Sequence, residues 1–309
     1  MPITPSPAVL RACDVLGHLT RHPGESFTVS ELARVVEVPR ATCDAILQAL
    51  ASAQYVTRNH GDRRYRLGPG GIALGDAART AHPVLQAAKI EAEELARQSE
   101  SCVAVCIRDG DTARVVEVFD FGPLFALRAR VGQTIPLVPP FGAVFVAWAD
   151  ADVDAWLANA RPALTTDEQR RYRRALEEVR RRGYSVSVAT RRQTELTRAV
   201  DTLATSPESE VALLARDRVV QEMMHSRYLV AELDTDQAVR VAQVSAPVFD
   251  GSGHAAASIL APGPDYDLAG AELRELVRRI AAAAVRATGR AGGRDSAHGS
   301  AAGEDPRAL

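Results

Sequence analysis

Side chains able to do nucleophilic, acid–base or metal chemistry are few and scattered. Seven histidines and four cysteines stand among 309 residues. His18 and His22 are four apart in a helix-like run, the spacing at which two imidazoles share a helix face and a metal. The glutamate of an HExxH site is missing, and Pro23-Gly24 follows at a helix stop. Cys102 and Cys106 face one side of an apolar, strand-like run, and Cys13 and Cys43 lie in helix-like segments. With no CxxC pair there is no disulfide framework, so buried reduced thiols are expected. Gly251-Ser252-Gly253 is turn chemistry, and no nucleophile elbow, P-loop or dinucleotide-binding GxGxxG follows a strand. His225 and His254 stand away from any marked carboxylate pair. No catalytic residue, metal ligand or cofactor site is expected, although a cytoplasmic enzyme stays as a remote alternative.

The arginines carry a different chemistry. Arg58, Arg63, Arg64 and Arg66 crowd a short segment around the turn Asn59-His60-Gly61-Asp62. Guanidinium groups in such a tip suit phosphate. The whole chain holds 37 basic and 39 acidic residues, a net charge of -2, which excludes a globally basic coat but not a local patch. Residues 1–80 hold nine arginines against seven acids, a modest surplus.

The elements that must position this tip can be read from periodicity. Ala8 to Thr20 spaces apolar residues for a helix. Thr28 and Glu31 form a capping box for a second helix, Val29 to Val36. Pro39 suits the first position of a third, running to about Ala53. Strands Tyr55–Arg58 and Arg63–Leu67 then form a hairpin. Three helices and a hairpin make a winged helix-turn-helix over residues 1–70, in which the third helix enters a DNA major groove. Its exposed face would carry Arg40, Ala41, Thr42, Asp44 and Gln48.

Gly68-Pro69-Gly70-Gly71 breaks the chain, and residues 71–99 read as linker helices, Ile72–Ala81 and Val84–Ser99. From residue 100 to 288 the pattern is α+β. Hairpins are expected over Cys102–Ile107 with Thr112–Phe119 and over Val239–Phe249 with Ala255–Leu260. A third strand is expected at Leu124–Val131, a helix over Phe141–Trp148, another capped by Thr166 and ended by Gly183, a strand at Tyr184–Ala189, and a last helix at Leu268–Ala287. Residues 191–235 read as helical, with a helix start at Ser206-Pro207-Glu208. Residues 289–309 read as a disordered tail. Val138–Ala149 is too short to span a bilayer, and Met1–Pro7 has no signal-peptide pattern, so a cytoplasmic protein without membrane contact is expected.

The order and spacing of several segments resemble the IclR family of transcriptional regulators. These are Ser30-Glu31-Leu32-Ala33 through Pro39-Arg40-Ala41-Thr42, Arg64-Tyr65-Arg66-Leu67-Gly68, Arg130-Val131-Gly132 with Ile135-Pro136-Leu137, Arg181-Arg182-Gly183-Tyr184, and Ala246-Pro247-Val248-Phe249-Asp250. The resemblance implies a winged helix-turn-helix, a linker helix and a GAF-like effector-binding domain with an antiparallel sheet. It implies double-stranded operator DNA and a small organic effector as partners, in a homodimer or homotetramer. Arg40, Ala41, Thr42, Asp44, Gln48, Arg58, Arg63 and Arg64 would meet DNA. Phe141, Gly142, Gln243, Ser258 and Leu260 would line the effector pocket.

Three departures from the family pattern stand out. Asp44 and Ala45 replace larger basic or polar residues. Gln243 stands where a cysteine is common, while Leu260 and Val138-Pro139-Pro140-Phe141-Gly142 make the pocket more apolar. The effector expected is therefore a medium-sized, largely apolar metabolite, aromatic or aliphatic, rather than a tiny dianion; where it is an aromatic or aliphatic acid, N–H groups at the start of the Phe141 helix would hold its carboxylate. Residues 191–235 look like an insertion. Its Met223, Met224, Tyr228 and Leu229 would enlarge the pocket, make an oligomer contact or add core. The low basicity of the first domain leaves a second alternative, a small-molecule sensor or adaptor that does not bind DNA.

Overall fold

The computed structural model describes residues 5–122, 129–190, 192–206, 209–226, 228–231 and 237–294. Chain contacts divide it into two units, Met1–Ala81 and His82–Leu309.

The first unit begins with α1 (Pro7–Arg21), α2 (Val29–Val35) and α3 (Arg40–Ser52). The capping box holds as expected: Glu31 N–H donates to Thr28 Oγ1 at 3.3 Å, and Thr28 N–H donates to Glu31 Oε2 at 2.6 Å. Pro39 is the cap of α3 rather than its first residue. Strands β1 (Val56–Arg58) and β2 (Tyr65–Leu67) pair antiparallel, with Arg58 opposite Tyr65. They are shorter than expected because Arg63 takes a left-handed φ of 57° and leaves the strand. Val15, Leu19, Leu32, Cys43, Leu47, Val56 and Tyr65 form the core, in which each fully buried aliphatic side chain contributes about 1.5–3 kcal/mol.

The glycine run after β2 starts an element instead of breaking the chain. Helix α4 (Pro69–Thr80) opens there with proline in its first turn. Gly68 is required, since a Cβ would lie 2.3 Å from the Gln54 carbonyl oxygen. Helix α4 packs on β1 in the first unit, whereas α5 (Pro83–Ser99) packs on the sheet of the second. The expected 71–99 linker is thus divided between the units at Ala81/His82.

The second unit continues with β3 (Cys102–Asp109), β4 (Thr112–Asp120), β5 (Thr134–Pro136), α6 (Ala143–Val146), α7 (Asp150–Ala158), α8 (Thr166–Arg182) and β6 (Ser185–Val188). Then come α9 (Gln193–Thr205), α10 (Glu210–Met224), β7 (Val241–Phe249), β8 (Ala255–Pro262) and α11 (Gly270–Arg290). The six strands form one antiparallel sheet, ordered β5-β4-β3-β8-β7-β6. Strand alternation sorts side chains onto two faces. Val103, Val105, Val186, Val244 and Ile259 pack with α5 and α11. Ala104, Cys106 and Val115 pack with α6, α7 and α8. This is the expected α+β class.

Several expectations are corrected. Of the strand expected at Leu124–Val131, residues 124–128 lie outside the described residues and 129–131 are not strand; the third strand is β5. The Phe141–Trp148 helix shrinks to the single turn of α6, because Gly142 at φ 80° precedes it and Trp148 lies beyond it. Thr165, not Thr166, caps α8, sharing a capping box with Glu168. Helix α10 starts after Ser209, whose hydroxyl accepts from Ala212 N–H; Pro207 and Glu208 lie outside the described residues. Helix α11 runs past the expected tail boundary, and Gly293 and Arg294 donate backbone bonds to Thr288 and Asp250 carbonyls. Residues 295–309 lie outside the described residues.

Candidate functional site

Burial of Cys43, Ile46, Leu47 and Leu50 turns the opposite face of α3 to solvent. Arg40, Ala41, Thr42 and Gln48 are exposed there. Asp44 is half-buried and accepts from Gln48 Nε2 at 2.9 Å, so this i, i+4 pair presents one joined polar group. The helix-turn-helix corner passes through Glu37 at φ 50°, a left-handed conformation.

The wing splits its arginines into two kinds. Arg63 and Arg66 are exposed, and Arg58 is exposed with its guanidinium 5.6 Å from the centre of the Tyr65 ring. Among the described residues, Arg40, Arg63 and Arg66 have no acidic partner. Arg64 is turned inward. Its Nε donates to the Ser26 carbonyl at 2.9 Å and its Nη2 to Glu31 Oε2 at 3.0 Å. Thr28 N–H, with Arg64 adding to it, holds the Glu31 carboxyl below its usual range. Arg64 thus ties the wing to the α2 cap. Sequence spacing missed this, because the pairing spans half the unit.

In the second unit a cavity of about 160 Å³ lies on the sheet face opposite α5 and α11. Alternation puts Ser185 and Ser187 of β6, Gln243 and Ser245 of β7, and Ser258 and Leu260 of β8 on its floor, with Cys106 of β3 and Val115 of β4. Phe141 and Gly142 form one wall, and Leu196, Thr197 and Val200 of α9 form another. All five expected pocket residues, Phe141, Gly142, Gln243, Ser258 and Leu260, meet here.

The floor is polar yet buried. Ser185 and Ser245 hydroxyls are 3.0 Å apart, and Ser258 Oγ has no nitrogen or oxygen partner among the described residues. Burial pushes the Cys106 thiol up to about 12, despite the neighbouring Ser258 hydroxyl. Burial likewise pushes the Tyr228 phenol up to about 12, against the hydrogen bond it shares with Ser187. The Tyr228 ring lies 5.2 Å from that of Phe141. Two contacts fix the Phe141 wall: Trp156 Nε1 donates to the Phe141 carbonyl at 2.7 Å, and a Cβ on Gly142 would strike Leu137 Cδ2 at 2.3 Å. On the α9 side, Gln133 Nε2 donates to Asp201, and Arg130 Nε stands 3.9 Å from the same carboxylate.

Sequence reasoning missed Cys106, the serines at 185, 187 and 245, and the α9 residues. A signal was present: Ser185-x-Ser187 and Gln243-x-Ser245 alternate with apolar residues in strands covered on both faces. Of the four residues singled out in 191–235, Tyr228 lines the cavity, while Met223, Met224 and Leu229 are core. The expected helix-start anion site at Phe141 has no basis in a helix of one turn. Cys13 is exposed, not buried. The His18 and His22 rings stack 4.3 Å apart against Phe27, and His22 Nδ1 donates to the His18 carbonyl at 2.8 Å.

Two models of one family match this chain, the IclR helix-turn-helix domain at residues 8–60 and the bacterial transcriptional regulator IclR C-terminal domain at residues 77–204. The chain belongs to the IclR family. It is a DNA-binding transcriptional regulator with a C-terminal effector domain, and the adaptor alternative is set aside. The IclR C-terminal match extends through residue 204 and so reaches all but the last residue of α9. The HTH-type transcriptional regulator XynR of Escherichia coli is 26% identical over 194 residues, which are 60% of this chain and 75% of that protein. An IclR transcriptional regulator from Alicyclobacillus acidocaldarius shares the fold at TM-score 0.61 and 22% identity, over 94% of this chain and 100% of that one. An IclR homologue from Microbacterium hydrocarbonoxydans, solved with 4-hydroxybenzoate, shares it at TM-score 0.57 and 16% identity, over 90% of this chain and 98% of that one. No helix among the described residues is long and apolar enough to cross a membrane.

Proposed function

We propose that this regulator reads operator DNA with α3 and grips the backbone with the wing, under control of a small molecule held in the cavity. One observation carries the DNA reading: Arg40, Thr42 and Gln48 are exposed on α3, beside wing arginines that no acid neutralises. In this reading Thr42 and the Asp44–Gln48 pair face base edges, with Ala41 in the same groove. Arg40, Arg58 and Arg63 meet phosphates, and Arg64 positions the wing. The effector is a small, largely apolar organic molecule, aromatic or aliphatic. The cavity's size and walls support this, as does the ring-bearing ligand of the Microbacterium homologue. The working form is a homodimer or a homotetramer. Exposed Val9, Leu10, Ile72 and Leu74 in the first unit supply apolar surface for self-association. Such a regulator works in the cytoplasm, where its DNA is.

The test is a mobility-shift titration on the promoter fragment beside the regulator's own gene at several salt concentrations. Arg63→Ala is expected to weaken binding to all sequences alike and reduce the salt slope by about one per protomer, with thermal stability unchanged. Arg64→Ala is expected to lower the melting temperature of the first unit by removing the ties to Ser26 and Glu31. Thr42→Ala should change sequence preference. No shift by folded protein at low salt, with or without effector extracts, would refute the DNA reading.

A further inference from the structure

We propose that the cavity selects uncharged, hydroxyl-bearing molecules of about one ring over the matching carboxylates. This rests on reading the cavity as the effector site, and adds the charge class of the ligand. Among the described residues, none of those lining it is Asp, Glu, Lys, Arg or His. The two lining groups able to ionise, Cys106 and Tyr228, are both held neutral by burial. The ion pair of Arg130 with Asp201 lies outside the lining, and its charges oppose one another. A carboxylate entering this space would give up its hydration without meeting a counter-charge from the described residues, which is the costly way to bury an ion.

The polar groups that do face inward suit a hydroxyl. Ser258 Oγ is buried beside the Cys106 thiol and, among the described residues, has no nitrogen or oxygen partner, so a ligand O–H that donates or accepts would satisfy it. The Ser185–Ser245 pair can turn one hydroxyl toward a guest, and Gln243 offers an amide of both kinds. A carboxylate can only accept, and would need all of these to donate at once. Size agrees: about 160 Å³ is close to the cavity of about 150 Å³ that takes one benzene. Phe141, Val115 and Leu196 supply the apolar walls.

The matched probes are 4-hydroxybenzyl alcohol and 4-hydroxybenzoate, titrated into the full chain by calorimetry at pH 7.5 and 6.0. The alcohol is expected to bind at least ten-fold more tightly at pH 7.5, with an affinity independent of pH. Any binding of the benzoate should strengthen about ten-fold per pH unit lost, because only its protonated form enters. Ser258→Ala should weaken alcohol binding by about five-fold. It should leave the melting temperature of the free protein nearly unchanged, since only the weak contact with the Cys106 thiol is lost. A fall in that temperature with unchanged binding would mark Ser258 as structural and overturn its role. Benzoate binding as tightly as the alcohol, without pH dependence, overturns the proposal. So does failure of both probes to bind a protein that still shifts DNA, and in that case the regulator reading stands. Alcohol binding that leaves DNA affinity unchanged upholds the uncharged cavity and refutes its role as the effector site.

Discussion

Single residues in this protein change meaning once their partners are known. Arg63 and Arg64 are adjacent in sequence and alike in chemistry, yet one sits exposed at φ 57° with no acidic partner among the described residues and the other bridges two elements. Gly142 shows the same sensitivity. Its φ of 80° is left-handed, and the cavity wall leaves no room for a Cβ beside Leu137. Gly142→Ala is expected to lower unfolding free energy by about 2–3 kcal/mol, combining backbone strain with displacement of a buried leucine. Gly110 also has positive φ, 58°, but open space around it. Gly110→Ala should cost only the strain, about 1 kcal/mol. Urea denaturation of the two variants separates the terms; equal losses would mean that the wall yields.

At the scale of elements, the helices are held by their ends and by their neighbours. Helix α8 opens with the Thr165–Glu168 box and closes at Gly183, φ 81°, with Arg180, Arg181 and Arg182 in its last turn against the negative end of its dipole. The Thr165 backbone N–H, then His225, holds the Glu168 carboxyl down from 4.5 to about 2. A depressed carboxylate contributes stability that is whole above the unfolded value and lost as pH falls through the folded one. Glu168→Gln is therefore expected to flatten the loss of stability between about pH 4.5 and 2, an effect of about 1 kcal/mol after solvent screening. Acid-unfolding curves followed by circular dichroism check this. A variant curve parallel to wild type would show that the box carries no proton linkage. Helices α9 and α10 are tied to each other by Arg192 with Glu222 and by Arg218 with Glu195. Those ties hold Leu196, Thr197 and Val200 over the cavity.

At the scale of the molecule, the buried carboxylate of Glu91 on α5 receives Arg286 at 2.7 Å and Arg290 at 2.6 Å from α11, fixing the two helices behind the sheet. Among the described residues of the first unit, α4 rests on β1 without fully burying a side chain, and it exposes Ile72 and Leu74. Self-association is the expected remedy. A single winged helix also buries too little surface for tight specific binding, and a dimer matches a two-fold operator. Light scattering at micromolar concentration should report at least twice the 33.1 kDa chain mass. Ile72→Glu with Leu74→Glu should shift it toward monomer while leaving cavity binding intact. A strict monomer for the wild-type chain, alone and on DNA, would refute the dimer.

The sequence by itself determined what is local or periodic. The Thr28–Glu31 cap, the exposed face of α3, the hairpins and the α+β pattern all follow from neighbours within a few residues, whose spacing survives in one dimension. That Phe141, Gly142, Gln243, Ser258 and Leu260 share one cavity was legible through family resemblance, since their motifs keep order along the chain. The tertiary structure decided what depends on distant partners. It paired Arg64 with Glu31, assigned α4 and α5 to different units, and brought α9 over the strands. It also made a charge-free floor of serines from strands far apart in the chain. Strand alternation says which side chains share a face, but only the β7–β8–β3 pairing says which faces meet, and that pairing is fixed by burial across the whole sheet.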